Sequence, residues 1–270
     1  MYNCNGTLVS DLSQTSPELL SSLFESFSIR EDVRLHGGQI LFWEKHYFRL
    51  IASLRRHRFF IPMNYTMEFF EQEIQKLGHG ISILDNAIIH LQFLKQNSST
   101  VFIMKIQEVE ALQIHHSSDY TIDLYKEAEI TSGNLSNLSV TNWGLRVMAK
   151  QYANENGLDD VILLNEQKNI IETLMGSLFL IQEDTLLTPK LETGCQDLVF
   201  RSVFIDWIKK NRKDLQLVEK ELNPFELQKS EELLILSLEK GISGVKQYRK
   251  TNYQLEKISA LATSFFNNLD

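Results

Sequence analysis

The sequence predicts an α+β fold made of two domains. Strand-like and helix-like segments follow one another along the 270 residues without the regular alternation of a doubly wound sheet. Apolar residues make up 43% of the chain and charged residues 23%, which is ordinary globular usage, and the 4 Pro and 12 Gly exclude collagen-like and disordered chains. The short polar segment 114–119 (IHHSSD) predicts a linker between a smaller domain, 1–113, and a larger one, 120–270.

Helical and strand periodicity define the elements of the first domain. Phe48, Ile51 and Leu54 recur at helical spacing, and Asn64 precedes a second helical pattern as a candidate N-cap. The predicted elements are, in order, a strand at 39–43, helices at 44–57, 65–77 and 83–94, and a strand at 100–109.

The second domain restarts with a strand and contains paired strands between helices. Gly157 falls where a left-handed residue would end a helix. The predicted strands are 120–126, 160–165, 169–173, 177–182, 185–188 and 243–248, and the predicted helices are 144–154, 197–211, 224–236 and 254–268.

The net charge and the cysteine content limit the binding partners and the cellular compartment that are expected for the protein. A net charge of −8 gives no global attraction to nucleic acid or to an anionic membrane, so neither is expected as a partner. Two cysteines cannot form a disulfide framework, and the first residues lack a signal-peptide pattern, so a cytoplasmic location is expected. The neighbouring His115 and His116 would point to opposite faces of a strand, and no metal site is expected. The basic run 55–58 is interpreted as a helix C-terminus that interacts with the helix dipole.

Several short motifs occur in a characteristic order. Residues 46–53 read HYFRLIAS, residues 142–173 contain an Asn, a helix, an Asp-Asp strand, a turn and Glu172, and Thr188-Pro189 precedes Gly194. In this order and spacing the chain resembles the fold-type IV pyridoxal-phosphate enzymes, which are the class IV aminotransferases: branched-chain and D-amino-acid aminotransferases and the related aminodeoxychorismate lyases. The resemblance implies the two-domain architecture of that family and a homodimer.

The resemblance also implies pyridoxal phosphate as cofactor and roles for particular residues. The family uses a lysine that bonds to the cofactor aldehyde, a carboxylate that faces the pyridine nitrogen, and an arginine that binds the phosphate. Arg49 matches the phosphate arginine, and a guanidinium suits phosphate because it donates paired hydrogen bonds. Glu172 matches the carboxylate.

Three departures from the family pattern concern this same cofactor site. Ser139 stands where the family has its lysine, and a hydroxyl cannot form a Schiff base. In the phosphate loop, Leu198, Val199 and Phe200 replace the Gly-Ile-Thr of the family, which removes close backbone approach and a hydroxyl donor. Ser177 replaces an Asn.

These departures leave three hypotheses about function. The first is a class IV aminotransferase or aminodeoxychorismate lyase-like protein, a pseudoenzyme whose ordinary transaminase or lyase chemistry is lost or impaired. The second is an active pyridoxal-phosphate enzyme, an amino-acid aminotransferase or aminodeoxychorismate lyase with an unusual base. The third is a non-catalytic homodimer that binds a partner, or a small molecule such as an amino acid or a related ligand.

Overall fold

The computed structural model describes residues 1–25, 27–79, 85–96, 98–115, 120–138 and 143–269. Within them the chain divides into two compact units, Met1–Ala111 and Leu112–Asp270. Helices and strands are grouped rather than alternating, so the expectation of an α+β fold is confirmed.

In its described residues the first unit has a six-stranded antiparallel sheet and three α-helices, and the strand order is β2-β1-β6-β5-β3-β4. Its elements are α1 (Pro17–Glu25), α2 (Trp43–Arg56), α3 (Met67–His79), β1 (Tyr2–Cys4), β2 (Thr7–Val9), β3 (Ile29–His36), β4 (Gln39–Ile40), β5 (Asn86–Gln96) and β6 (Ser99–Glu108). A cluster of aromatic rings from α3, β5 and β6 fills the space between helix and sheet: Tyr65, Phe69, Phe70, Phe93 and Phe102.

The predicted helix 83–94 is wrong, because the described part of this segment belongs to β5. The strand lies between β3 and β6, and its residues 89–93 alternate apolar and polar. The adjacent apolar pairs Ile88-Ile89 and Phe93-Leu94 interrupt this period of two and also fit helical spacing, so the segment is easily taken for a helix.

The helices of the first unit differ from the prediction mainly in where they begin and in which side chains they bury. The strand predicted at 39–43 stops at Ile40, and Trp43 already begins α2. Leu50 and Leu54 of α2 are buried, whereas Phe48, predicted on the apolar face, is 60% exposed. The third helix begins at Met67, where the hydroxyl of Thr66 accepts the N–H of Phe69 at 3.2 Å. Thr66 therefore takes the capping role that the sequence suggested for Asn64.

The described part of the second unit contains two sheets and four α-helices. One sheet has the order β10-β9-β8-β16-β17 and the other β13-β12-β11-β14-β15-β7. The elements are α4 (Trp143–Glu155), α5 (Val199–Asn211), α6 (Phe225–Lys229), α7 (Glu256–Phe266), β7 (Gln113–His115), β8 (Thr121–Leu124), β9 (Asp160–Leu164), β10 (Ile170–Thr173), β11 (Ser177–Gln182), β12 (Thr185–Pro189), β13 (Gln216–Lys220), β14 (Glu232–Ser237), β15 (Gly241–Gly244), β16 (Gln247–Tyr248) and β17 (Thr251–Asn252).

Strand pairing also revises two predictions for this unit. The segment 114–119 begins as strand rather than linker, since β7 pairs in parallel with β15, while residues 116–119 lie outside the described residues. The predicted helix 224–236 ends at Lys229, and the apolar residues after it form β14 between β11 and β15. Burial of β14 on both faces hides its strand period.

The segment that leads to the candidate site agrees with the sequence. Helix α4 is followed by Gly157 at φ +64°, as expected for a left-handed C-terminal residue, and β9 and β10 form an antiparallel hairpin. Among the described residues, no helix combines the length and the apolar character needed to cross a bilayer. The same residues contain no group of three His, Cys, Asp or Glu side chains arranged to hold a metal ion.

Candidate functional site

Glu172 lies on β10 in the second unit and is only 2% exposed. The register between β9 and β10 shifts between Ile170 and Glu172. Such an irregularity redirects a side chain relative to the strand that carries it. The hairpin thus places a carboxylate inside the unit, where an unpaired charge would cost several kcal/mol.

The partner of Glu172 is Arg146, from α4. The Arg146 guanidinium donates through Nη2 to Oε1 of Glu172, and its side chain is 13% exposed. The backbone N–H of Gln196 donates to Oε2 of Glu172 at 2.9 Å. With its amide oriented so that the oxygen faces the guanidinium, Gln196 also accepts from Nη2 of Arg146 at 2.6 Å. Both carboxylate oxygens of Glu172 are therefore bonded inside the protein.

The turn that carries Gln196 is itself fixed. Gly194 adopts φ +100°, and a Cβ there would lie 3.1 Å from Cα of Ser132, so the position suits glycine. The amide of Asn137 donates to the carbonyls of Leu191 and Cys195, at 2.7 and 2.6 Å. Burial raises the pKa of the Cys195 thiol to about 12, so this cysteine is not a reactive thiolate at neutral pH.

The candidate phosphate loop leads into α5 and presents apolar side chains. Leu198 precedes the helix without a side-chain capping bond, and Val199 and Phe200 are buried. The ring of Phe200 packs 5.7 Å from that of Phe265 on α7, measured between centroids. None of the side chains of Leu198, Val199 and Phe200 contains a hydrogen-bond donor.

Ser177 and Thr188 lie on two neighbouring strands of one sheet, β11 and β12. Ser177 opens β11 opposite Leu236 and is buried. The hydroxyl of Thr188 donates to the carbonyl of Leu178 at 2.9 Å, so it is engaged within the sheet. The family motif at Thr188 is thus present in sequence and serves strand packing here.

Arg49 lies on α2 in the first unit and is likewise paired. It donates to Oε2 of Glu31, on β3, while Nδ1 of His46 lies 2.7 Å from Oε1 of the same carboxylate. The side chain of Glu31 is 3% exposed and that of Arg49 is 11% exposed. Among the described residues, Nε2 of His46 is buried without a hydrogen-bond partner. Arg49 is therefore not a solvated helix arginine, and its ion pair with Glu31 engages Nη1 and leaves the buried Nη2 outside that pair.

Ser139, the residue at the expected lysine position, lies outside the described residues. The structure brings together Glu172 with Arg146 and Gln196, which the sequence reasoning missed. The sequence did indicate an acidic partner for Arg146. This residue shares the buried face of α4 with Ala149 and Ala153, where a cation requires a counter-charge. Glu31 gave a similar indication, since it shares the buried face of β3 with Ile29 and Val33.

Comparison with known proteins decides the family. A profile described as amino-transferase class IV matches residues 22–248. The chain belongs to the class IV aminotransferase family. This family is pyridoxal-phosphate-dependent.

Individual relatives of this class IV aminotransferase are distant in sequence and close in fold. A branched-chain aminotransferase from Thermoproteus uzoniensis is 17% identical with a TM-score of 0.83, and the match covers 99% of this chain and 94% of the other. A Legionella pneumophila protein assigned as a 4-amino-4-deoxychorismate lyase is 19% identical with a TM-score of 0.79, over 92% and 93% of the two chains. A Rickettsia typhi protein assigned as a branched-chain-amino-acid aminotransferase is 22% identical over 186 residues, 63% of this chain and 62% of that relative's length.

The residues described at the expected cofactor positions fit pyridoxal phosphate only in part. A pyridinium nitrogen needs an accepting carboxylate, and Glu172 already accepts from a guanidinium and a peptide N–H, one on each oxygen. A phosphate needs donors: Leu198, Val199 and Phe200 supply none from their side chains, whereas Arg49 is paired with Glu31 through Nη1 and keeps Nη2 outside that pair. Each charged candidate is instead neutralised within its own unit.

Proposed function

We propose that this class IV aminotransferase has lost the ordinary, lysine-dependent transaminase and lyase chemistry of its family and is a pseudoenzyme. The observation that carries the proposal is the internal ion pair of Glu172 with Arg146. A ring nitrogen that binds Glu172 must compete with a guanidinium of the protein for the same carboxylate. The sequence adds a second argument, because Ser139 has no amine with which to anchor the cofactor.

The size of the effect follows from the bonds that are missing. One or two lost charge-assisted hydrogen bonds weaken binding by about 2–5 kcal/mol. Since 1.4 kcal/mol is tenfold in affinity, a micromolar cofactor becomes roughly millimolar. Loss of the covalent link to a lysine weakens binding further.

The proposal is tested by adding pyridoxal phosphate to the purified protein. We expect a colourless protein whose melting temperature is unchanged by the cofactor, and no amino-group transfer from amino acids to 2-oxoglutarate. An active family member, such as the branched-chain aminotransferase of Escherichia coli, serves as positive control. Ser139→Lys alone should restore little activity, because Arg146, Leu198 and Phe200 still oppose cofactor binding.

Two results would contradict this proposal. A yellow protein with measurable transamination would favour the second hypothesis, an active pyridoxal-phosphate enzyme with an unusual base. Full activity from Ser139→Lys would show that the loop at 198–200 and the Glu172–Arg146 pair do not obstruct the cofactor.

We further propose that the protein is a non-catalytic homodimer located in the cytoplasm. The resemblance to the family supports the dimer, and light scattering should give twice the 31.3 kDa mass of the chain. If the dimer or a partner binds through the ancestral cofactor residues, Arg49→Ala and Glu172→Ala should weaken that binding. Unchanged binding in both variants would assign the interface to another surface.

A further inference from the structure

We propose that a cavity in the second unit, away from the residues matched to the cofactor site, binds a small anion that carries a flat ring. The cationic cavity, as we name it, has a volume of about 490 Å³ and is lined by Lys126, Lys168, Phe225, Gln228, Tyr248 and Arg249, among others. Three cationic side chains and two aromatic rings thus converge on one opening. The proposal is independent of the pseudoenzyme proposal.

The charges of the cationic cavity leave a net positive potential. Lys126 is exposed, and within the described part of the chain its ammonium has no hydrogen bond or ion pair. Lys168 pairs with Glu129, which also lines the cavity, and Nε of Arg249 donates to Asp123 at 2.8 Å. One cation therefore stays uncompensated in a protein whose net charge is −8.

Backbone conformation adds an independent observation. Lys168 lies at φ +63° in the turn between β9 and β10, and Arg249 lies at φ +54° in the turn between β16 and β17. Glycine and asparagine are the residues that favour this left-handed region in tight turns. Both turns instead carry a long cationic side chain that lines the cavity.

The aromatic side chains give the cationic cavity a surface for a ring. Phe225 is 68% exposed, an unusual state for a large apolar side chain. The ring of Tyr248 is buried, and Cζ of Arg249 lies 5.1 Å from its centroid, which holds the guanidinium at the cavity. Since Phe225, Lys126 and Arg249 line the same cavity, a ligand with a flat ring and an attached anionic group can contact both kinds of side chain.

The volume and the lining together define the ligand class. Ligand-binding cavities typically measure about 300–1,000 Å³ and combine apolar walls with a few polar groups. The cationic cavity lies at the lower end of this range and selects against cations by its charge. The shared chemistry is therefore a flat ring with a carboxylate or a phosphate group.

Isothermal titration calorimetry with four probes tests this assignment. Naphthoate and naphthyl phosphate carry both features, naphthylmethanol lacks the charge, and acetate lacks the ring. We expect saturable binding of the first two at a dissociation constant of about 1 mM or tighter, weakened by added salt, and none of the last two. Tighter binding of naphthoate indicates a carboxylate ligand, and tighter binding of naphthyl phosphate indicates a phosphate ligand.

Matched variants locate the binding. Lys126→Ala and Phe225→Ala should each weaken binding about fivefold or more. Lys210→Ala, an exposed lysine on α5, and Phe48→Ala, a phenylalanine of similar exposure in the first unit, should leave it unchanged. Since Lys126 and Phe225 are exposed, their variants should melt like the wild type. Absence of saturable binding, equal binding of naphthylmethanol, or equal loss in the control variants would overturn the proposal.

Discussion

Replacing Arg146 by methionine should destabilise the protein strongly, because it leaves Glu172 buried without its counter-charge. Removing one partner of a buried ion pair typically costs about 3–5 kcal/mol. Glu172 keeps the Gln196 N–H at 2.9 Å, and the Arg146 side chain is 13% exposed, so its loss is partly compensated. We therefore expect a loss of about 2–4 kcal/mol, and a melting temperature lower by roughly 5–15 °C.

The assay is urea unfolding followed by circular dichroism, with thermal melting as a second measure. Lys150→Met is the matched control, since Lys150 is exposed on the same helix. We expect that control to change stability by less than about 0.5 kcal/mol. The double variant Arg146→Met with Glu172→Gln should recover part of the loss, because the neutral amide still accepts the Gln196 N–H.

Two outcomes would refute this reasoning. If Arg146→Met costs no more than Lys150→Met, the guanidinium does not support Glu172. If the double variant is as unstable as the sum of the single variants, the two side chains are not coupled. A further observation would link stability to the site: pyridoxal phosphate should not stabilise the wild type, in which Arg146 holds Glu172.

Two more predictions concern the surroundings of the site. Burial raises the pKa of Asp160 to about 6, so the folded state retains a proton there that the unfolded chain has lost. The free energy of unfolding should therefore fall as the pH rises from about 4 to 6. Urea titrations at several pH values should show a smaller fall for Asp160→Asn than for the wild type. An equal fall in the two proteins would contradict this prediction. Gly176→Ala should cost more than about 2 kcal/mol, because the added methyl group meets the Leu236 carbonyl, whereas Gly144→Ala, which meets nothing in α4, should be neutral or stabilising by calorimetry. Similar melting of the two variants would contradict that prediction.

The sequence predicted helix α4, its left-handed Gly157 and the hairpin of β9 and β10, which are where periodicity and turn chemistry placed them. Although β9 and β10 are buried throughout, each is a short apolar run on one side of a polar turn, which identifies a strand without alternation. Strands β5 and β14 were predicted as helices, because β14 is a buried run that closely follows α6, and adjacent apolar pairs in β5 also fit helical spacing. The pairing of central strands depends on the whole sheet, which local patterns do not encode.

For the candidate site, the motifs identified Arg49 and Glu172 but not what they bind. The contacts of Arg49 with Glu31 and of Glu172 with Arg146 join residues 18 and 26 positions apart. No local spacing predicts such pairs. Burial of a charge on an otherwise apolar face does predict that some partner exists, and both Glu31 and Arg146 satisfy that condition.

The two ion pairs neutralise the charged residues at the expected cofactor positions. A buried carboxylate or guanidinium without a partner costs several kcal/mol, so an opposite charge nearby stabilises each unit. Arg146 and Glu31 supply that charge. A ligand at Glu172 would have to compete with the Arg146 guanidinium for the carboxylate. An anionic ligand binds more favourably beside a cation that has no counter-charge. Lys126 in the cationic cavity is such a cation within the described residues.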